Sequence, residues 1–283
     1  MKIAVASGKG GTGKTTIATN MALSLENVQL LDCDVEEPNA HIFLKPEIKK
    51  RIPVCIPVPK VDETKCDYCG KCAEFCEFNA IAVFNKQILI FPELCHGCGG
   101  CLLVCPKNAI AEECRNIGVV KKGVARDIEF VYGELNIGEP MAVPVIRKVK
   151  EEIDGNKTVI IDASPGTSCP MIAAVHGSDY CILVTEPTPF GLHDLRLAVE
   201  TIREMKIPFG VIINCEGIGD QKVQEYCKKE GIPLLLKIPM DRRIAELYSR
   251  GTPFVLEMPD WKNKFSGLFD AVQVHAQLRD GGI

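Results

Sequence analysis

Phosphate chemistry is written into the first fifteen residues. Gly8-Lys9-Gly10-Gly11-Thr12-Gly13-Lys14-Thr15 has the G-x-x-x-x-G-K-T spacing of a P-loop, behind the apolar run Lys2–Ser7 and ahead of a helical pattern, Thr16–Leu25. The glycines let the backbone curl so that consecutive N–H groups face one anion, and the helix N-terminus adds positive potential there. Lys14 then reaches the β- and γ-phosphates of a nucleotide, and the Thr15 hydroxyl holds Mg²⁺. Carboxylates follow at the ends of two apolar runs: Asp32 and Asp34 after Val28–Asp32, and Asp162 at the end of Thr158–Asp162. Ligands of α/β sheets sit at such carboxyl ends. A strand closing on aspartate is common, so Asp162 takes its meaning from Lys14 and Thr15.

A second chemistry lies in the cysteines. The chain has 15, and eight of them fall between positions 66 and 105. Cys66, Cys69, Cys72 and Cys76 give C-x₂-C-x₂-C-x₃-C, and Cys95, Cys98, Cys101 and Cys105 repeat it 29 residues later. The repeat extends to Asn79-Ala80-Ile81 and Asn108-Ala109-Ile110, so the segment reads as an internal duplication. Pro106 follows the second motif, whereas Glu77 stands at the matching place in the first. This is the two-cluster bacterial ferredoxin pattern. Three thiolates two residues apart cap three corners of a cubane, and the fourth crosses to the other one. Cys66, Cys69, Cys72 and Cys105 are therefore assigned to one [4Fe-4S] cluster, and Cys95, Cys98, Cys101 and Cys76 to the other. Zinc sites pair two C-x₂-C knuckles rather than a triplet plus one. His96 lies among the ligands, but cysteine fills every position. Ile81, Val83, Ile88, Ile90 and Phe91 are expected to form an apolar sheath and a short hairpin in a fold that depends on its metal. Outside the motifs, Cys55 reads as a buried or half-buried apolar side chain and Cys114 as a stray cysteine. Cys169, Cys181, Cys215 and Cys227 are singletons.

The elements that must position these groups alternate strand and helix. Further strands are expected at Tyr180–Thr185, Phe209–Asn214 and Leu234–Ile238, with return strands within Val119–Val131. Helices are expected at Val143–Ile153, His193–Met205, Ile218–Glu230 and Asn263–Leu278. The proline-rich segment Lys49–Pro59 reads as an extended connection rather than a central strand. The fold class is α/β: a mostly parallel P-loop NTPase sheet with helices on both faces, interrupted by a small bacterial-type ferredoxin module. The organisation is 1–59, first part of the nucleotide domain; 60–112, insert; 113–283, second part. Apolar residues make up 46% and the formal net charge is −4. There is no basic nucleic-acid surface, no signal-peptide pattern and no apolar run of membrane-spanning length. A cytoplasmic protein without a nucleic-acid partner or stable membrane association is expected.

Lys9 narrows the reading. The stretch Lys9–Thr15 resembles the deviant Walker A motif, K-G-G-x-G-K-T, of the MinD/ParA-like ATPases and the nitrogenase iron protein. The whole chain resembles MinD-superfamily ATPases that contain an inserted ferredoxin domain. The resemblance implies an ATP-sandwich homodimer in which Lys9 reaches the opposite subunit's nucleotide. It implies that Gly8, Gly10, Gly11, Thr12, Gly13 and Thr16 complete the cradle. Asp32, followed by Asp34 and Asn39, would hold Mg²⁺ through water, and Asp34 would orient the attacking water. Glu36 and Glu37 lie close enough to share that part. Asp162 would support Mg²⁺, the Gly166 N–H would sense the γ-phosphate, Asn214 would bond adenine, and Pro239 and Asp241 would line its pocket. The implied cofactors are ATP or ADP, Mg²⁺ and two [4Fe-4S] clusters. The implied function is an ATP-hydrolysing dimeric switch acting through its clusters on electron transfer or docking, with a redox protein or a related ATPase subunit as partner. Two alternatives stand beside it: a positioning or partitioning ATPase with a redox-sensing insert, and an iron–sulfur cluster assembly factor. The carriers' late C-x-x-C pair is missing here. The tail Leu278–Ile283 lacks the strongly basic amphipathic anchor of MinD.

Overall fold

The computed structural model describes residues 1–277. In chain order, β1 (Lys2–Ala6) leads through the glycine loop into α1 (Lys14–Ala22), then β2 (Val28–Asp32), α2 (Ala40–Leu44) and β3 (Glu47–Val61). A cysteine-rich segment follows, with α3 (Lys71–Phe75), β4 (Ile81–Phe84), β5 (Gln87–Ile90) and α4 (Gly100–Leu103). The chain returns through β6 (Ile110–Ala125), β7 (Ile128–Leu135), α5 (Val143–Lys150), β8 (Thr158–Asp162) and α6 (Cys169–Val175). It ends with β9 (Tyr180–Thr185), α7 (Pro189–Glu204), β10 (Phe209–Glu216), α8 (Lys222–Lys229), β11 (Leu234–Pro239), α9 (Arg242–Ser249) and α10 (Asp260–Gln277).

Nine strands form one sheet in the order β11-β10-β9-β1-β8-β2-β7-β6-β3. The pairings from β11 to β7 are parallel, and β6 and β3 close the edge as an antiparallel ladder. The inner strands are apolar on both faces, which is why they read as continuous hydrophobic runs. On β1, Ala4 and Ala6 face the layer of α5, α6, α7 and α8, while Ile3 and Val5 face that of α1, α9 and α10. Both layers have a buried apolar core, with Val145 and Ile146 fully buried on one side and Ile17 and Phe265 on the other. Among the described residues no helix is long and apolar enough to cross a membrane.

Lys49–Pro59 is not a loose connection but the middle of β3, the edge strand. Its ladder with β6 runs from Glu47 opposite Val124 to Val61 opposite Ile110. Prolines survive at a sheet edge because their missing N–H groups need not face a partner. Val54, Ile56 and Val58 supply the buried face. The ribbon passes through positions 60 and 112, so the cysteine-rich segment grows from it without a linker. Cys55 and Cys114 also depart from expectation. Cys55 is exposed rather than buried, and Cys114 is not stray: the two form a disulfide across the ladder.

The stretch 119–131 divides into β6 and β7, with Arg126 in the left-handed region at the turn (φ 54°). α7 starts four residues before the expected His193. Thr188 caps it, accepting from the Gly191 N–H at 3.0 Å, and Pro189 fits the first turn. α1 and α8 are shorter than their patterns suggest. Leu278 and the tail to Ile283 lie outside the described residues.

The duplication in the sequence is matched by the backbone. Gly70 and Gly99 precede α3 and α4 with φ of 80° and 70°, and Asn79 and Asn108 both adopt positive φ. The expected hairpin is β4-β5, turning through Asn85 and Lys86. The buried core of this segment is small: Cys72, Ile81 and Cys101.

Candidate functional site

The glycine loop opens onto a cavity of about 510 Å³ at the carboxyl ends of the strands. Its walls include Gly10, Gly11, Gly13, Lys14, Thr15, Thr16, Asp34, Asn214, Pro239 and Asp241, ten of the residues expected at a nucleotide. Gly13 is in the left-handed region (φ 92°), and a Cβ there would stand 2.4 Å from the Asn214 amide nitrogen. That amide donates to the Thr12 carbonyl at 2.9 Å, tying the end of β10 to the loop. Gly8, Lys9, Thr12, Asp32, Asp162 and Gly166 sit behind or beside the cavity rather than on its wall. Gly8 is pressed against the Asp194 backbone, and Thr12 is buried with its hydroxyl unpartnered. Lys9 is ion-paired with Glu186 at 3.1 Å. The Gly166 N–H donates to the Ser7 carbonyl at 2.9 Å, so in this conformation it is engaged.

The carboxylates divide by their partners. Asp32 and Asp162 are fully buried and stand opposite one another on adjacent strands. Asp32 is satisfied: Oδ1 accepts from the Asp34 N–H at 3.1 Å, and Oδ2 from the Asn39 and Ala40 N–H groups at 3.1 and 3.0 Å. It braces the loop that carries Asp34. Burial, then the neighbouring Asp162 charge, hold its carboxyl well above the ordinary range. Asp162 has both oxygens buried without a hydrogen bond of ordinary geometry. Burial pushes it up to about 6, against the opposing pull of Lys14 and Thr15. Asp34 rises to about 7 through burial, offset by Lys14 and reinforced by Asp162, Glu36 and Glu37. An orphaned carboxylate beside the Thr15 hydroxyl and three repelling acids suits a hard divalent cation held through oxygen. Asp162 and Thr15 are the residues that would hold Mg²⁺, with Asp32 behind them.

Glu37 and Asn39, both named beside Asp34 in the sequence, join the wall from the loop after β2. Ile244, Ala245, Tyr248 and Phe254 carry no motif and were not expected. Met240, Ile244, Ala245, Tyr248 and Phe254 supply an apolar wall. Asp241 lies among them and caps α9, accepting from the Arg243 N–H at 2.7 Å. The only available signal was the amphipathic spacing of Ile244 and Tyr248 one turn apart.

The motif cysteines gather into two separate cavities. One is lined by Cys66, Cys69, Cys72 and Cys105, the other by Cys76, Cys95, Cys98 and Cys101, so each takes its fourth cysteine from the other repeat. Equivalent sulfurs accept equivalent backbone donors. Tyr68 N–H to Cys66 and Gly97 N–H to Cys95 are both 3.4 Å, and Ala80 N–H to Cys76 and Ala109 N–H to Cys105 are both 3.3 Å. Such donors stabilise thiolate charge. Cys72 and Cys101 are buried and their thiols are raised, Cys101 to about 11, chiefly by desolvation. Among the described residues no three His, Cys, Asp or Glu side chains are gathered to hold a single metal ion. His96 is exposed and stacks on Phe78 at 3.7 Å. The second cavity lies nearer the sheet: Pro57, Pro59 and Glu112 of the edge ribbon help wall it, and Cys95 packs against the main core.

A backbone path joins the two regions. The Leu135 N–H donates to the carbonyl of Val35, next to Asp34, at 2.8 Å. Asn136 N–H donates to Ile117 on β6 at 2.9 Å, and the Asn136 amide donates to Asn116. Arg115 on β6 is ion-paired with Glu139 in the loop after β7.

Known nucleotide-binding proteins resemble this chain. The CobQ/CobB/MinD/ParA nucleotide binding domain matches residues 3–254. An uncharacterized protein of Methanocaldococcus jannaschii is 31% identical over 276 residues, covering 93% of this chain and 94% of its own length. An iron-sulfur cluster carrier protein of Pyrococcus abyssi is 25% identical over 277 residues, covering 90% and 79%. Among solved structures, the septum site-determining protein MinD of Pyrococcus horikoshii OT3, complexed with Mg-ADP, superposes with a TM-score of 0.59 at 19% identity over 94% of this chain and 93% of that one. That likeness is one of fold: a mostly parallel central sheet with helices on both sides. With the match running from β1 into the segment after α9, the chain belongs to the CobQ/CobB/MinD/ParA family of P-loop nucleotide-binding proteins.

Proposed function

We propose that the protein is an ATP-hydrolysing, dimer-forming switch whose nucleotide state is coupled to electron transfer or partner docking through two [4Fe-4S] clusters in residues 60–112. The observation that carries the reading is the pair of four-cysteine cavities, each completed by the crossing cysteine of the other repeat. Zinc needs four donors about 2.3 Å from one point. A cubane instead takes four thiolates spread around a larger body, and among the described residues no three His, Cys, Asp or Glu side chains converge on one metal ion. Cys66, Cys69, Cys72 and Cys105 would hold one cluster, and Cys76, Cys95, Cys98 and Cys101 the other. When bound, the clusters supply one-electron carriers, the second nearer the nucleotide domain.

Within the nucleotide site, the curled loop and Lys14 bind and orient the phosphates. Bound Mg²⁺ would neutralise phosphate charge at Asp162 and Thr15. Asp34, on the cavity wall, would position a water, and Asn214 and the wall from Pro239 to Tyr248 would seat the base. Lys9 leaves Glu186 to reach across the dimer, and Gly166 exchanges Ser7 for the γ-phosphate. Both residues are held in cis here, so ATP would change partners that already exist. The path from Val35 through Leu135 and Asn136 to β6 supports coupling, because displacement of the Asp34 loop bears on the ribbon that walls the second cluster cavity.

Anaerobic redox titration of the reconstituted protein, followed by electron paramagnetic resonance, tests this reading. ATP should shift the cluster potential or the rate of reduction of an acceptor, and Lys14→Ala should remove the effect with the clusters intact. No effect of nucleotide on either quantity sinks the coupling. A second reading, cluster assembly, is favoured by the similarity to the iron-sulfur cluster carrier. ATP-dependent transfer of labelled iron from this chain to an apo-acceptor would support it; the lack of a late C-x-x-C weighs against it.

A further inference from the structure

We infer that Cys55 and Cys114 form a thiol–disulfide exchange site whose oxidation locks the ribbon between the sheet and the cysteine-rich segment. The two residues lie on neighbouring strands of the antiparallel ladder, where Cys55 pairs in register with Asn116 and Cys114 with Pro57. They are therefore diagonal neighbours, and their Cα atoms are 5.5 Å apart, well within the reach of a disulfide. Both are exposed, while Val54, Ile56 and Val58 on the same strand turn into the core. An exposed pair meets small thiols and disulfides, which buried cysteines such as Cys33, Cys181 and Cys227 do not. Neither residue belongs to the eight-cysteine motif, so oxidation of this pair removes no candidate cluster ligand. Among the described residues it is the one disulfide.

Its position gives it a consequence. The bond spans a sequence separation of 59, and the enclosed loop contains all eight motif cysteines. Oxidised, the pair clamps the base of that loop covalently. Reduced, the base is held by ladder hydrogen bonds and by the ion pair of Arg115, the residue after Cys114, with Glu139. The partner chemistry is that of a low-molecular-weight disulfide. One thiolate attacks a sulfur of the disulfide, forming a mixed disulfide and releasing one small thiol. The second cysteine then attacks the mixed disulfide, forming the Cys55–Cys114 bond and releasing the second small thiol. The two cysteines lose two electrons, the small disulfide gains them, and the two protons leave on the released thiols.

The test equilibrates the full-length, cluster-loaded protein anaerobically with glutathione and glutathione disulfide at graded ratios, followed by acid quench, alkylation and peptide mass spectrometry. A Cys55–Cys114 cross-linked peptide should replace the two alkylated peptides reversibly as the ratio becomes oxidising. Deuterium uptake across 47–61 and 110–125 should slow by roughly tenfold in the oxidised form. Cys114→Ser should abolish both changes while the cluster absorbance persists. Alkylation of both residues at every ratio, or a link that survives the most reducing buffer, overturns the exchange site. A reversible link without slower deuterium uptake overturns the lock. None of these readouts uses ATP, so they stand apart from the switch reading above.

Discussion

At the scale of single residues, the nucleotide site is held in a protonation state that its ligand should reverse. Asp34 is raised to about 7 and Asp162 to about 6, each chiefly by burial. A carboxyl raised in the folded state keeps its proton where the unfolded chain has lost it, so the folded state is favoured at low pH. The contribution of these groups to stability therefore falls as pH rises from about 4 to 7, and stays low above that. Asp34→Asn removes the burden of a buried charge. In the metal-free protein at pH 8 it should raise stability by on the order of 2 kcal/mol, with the gain vanishing near pH 4. Denaturant melts at the two pH values check this, and an equal gain at both would refute it. Binding of Mg²⁺ and nucleotide should expel protons between pH 5 and 7, seen as a buffer-dependent binding enthalpy in calorimetry. The sequence shows much of this site because the P-loop and the strand-end acids are fixed in spacing. It does not show that Asp32 is saturated by backbone donors while Asp162 is orphaned, since that depends on how the loop from Asp34 to Ala40 folds back. Tyr248 and Phe254 were equally hidden, being apolar residues with no motif around them.

At the scale of elements, the consequential feature is the ribbon of β3 and β6. Prolines made β3 read as a connection, and local composition offers no sign that its partner strand lies beyond an intervening segment, with Val61 opposite Ile110. Antiparallel edge pairing is a property of topology, not of either strand alone. The ribbon's attachment to the sheet includes a mostly buried ion pair, Arg115 with Glu139, at 15% and 13% side-chain exposure. Removing one partner strands the other charge, so Arg115→Ala should cost about 3 kcal/mol by denaturant melting, whereas the double change Arg115→Met with Glu139→Leu should cost much less. Equal losses in the single and double variants would show that the pair is not what binds the loop after β7 to β6. Arg115→Ala should also weaken any effect of ATP on the second cysteine cavity, because the path from Val35 reaches β6 through that loop.

At the scale of the whole molecule, two unequal bodies share one ribbon. The sheet has two broad apolar layers, one on each face, whereas the buried cluster of the cysteine-rich segment is small, centred on Cys72, Ile81 and Cys101. The cysteine spacing gave reason to expect this contrast, but not that apolar side chains of the segment such as Phe75, Phe84, Leu89 and Leu103 stay exposed. What holds the segment's base was not legible either, because the Cys55–Cys114 pairing is set by strand register. If the clusters are bound as proposed, removal of iron by chelation should release the segment while leaving the sheet intact. Limited proteolysis of the chelated protein should cut within 62–109, while the loaded protein resists at the same dose. The melting midpoint of the remaining sheet should move by no more than a few degrees. On a denaturing gel without reductant the nicked chain should run as one species when Cys55 and Cys114 are oxidised, because the cut lies inside the loop they close; with reductant it should separate into two pieces. Cys55→Ser should give two pieces under both conditions. Protection of 62–109 after complete iron removal would mean that the segment folds without metal, contrary to the small core it buries.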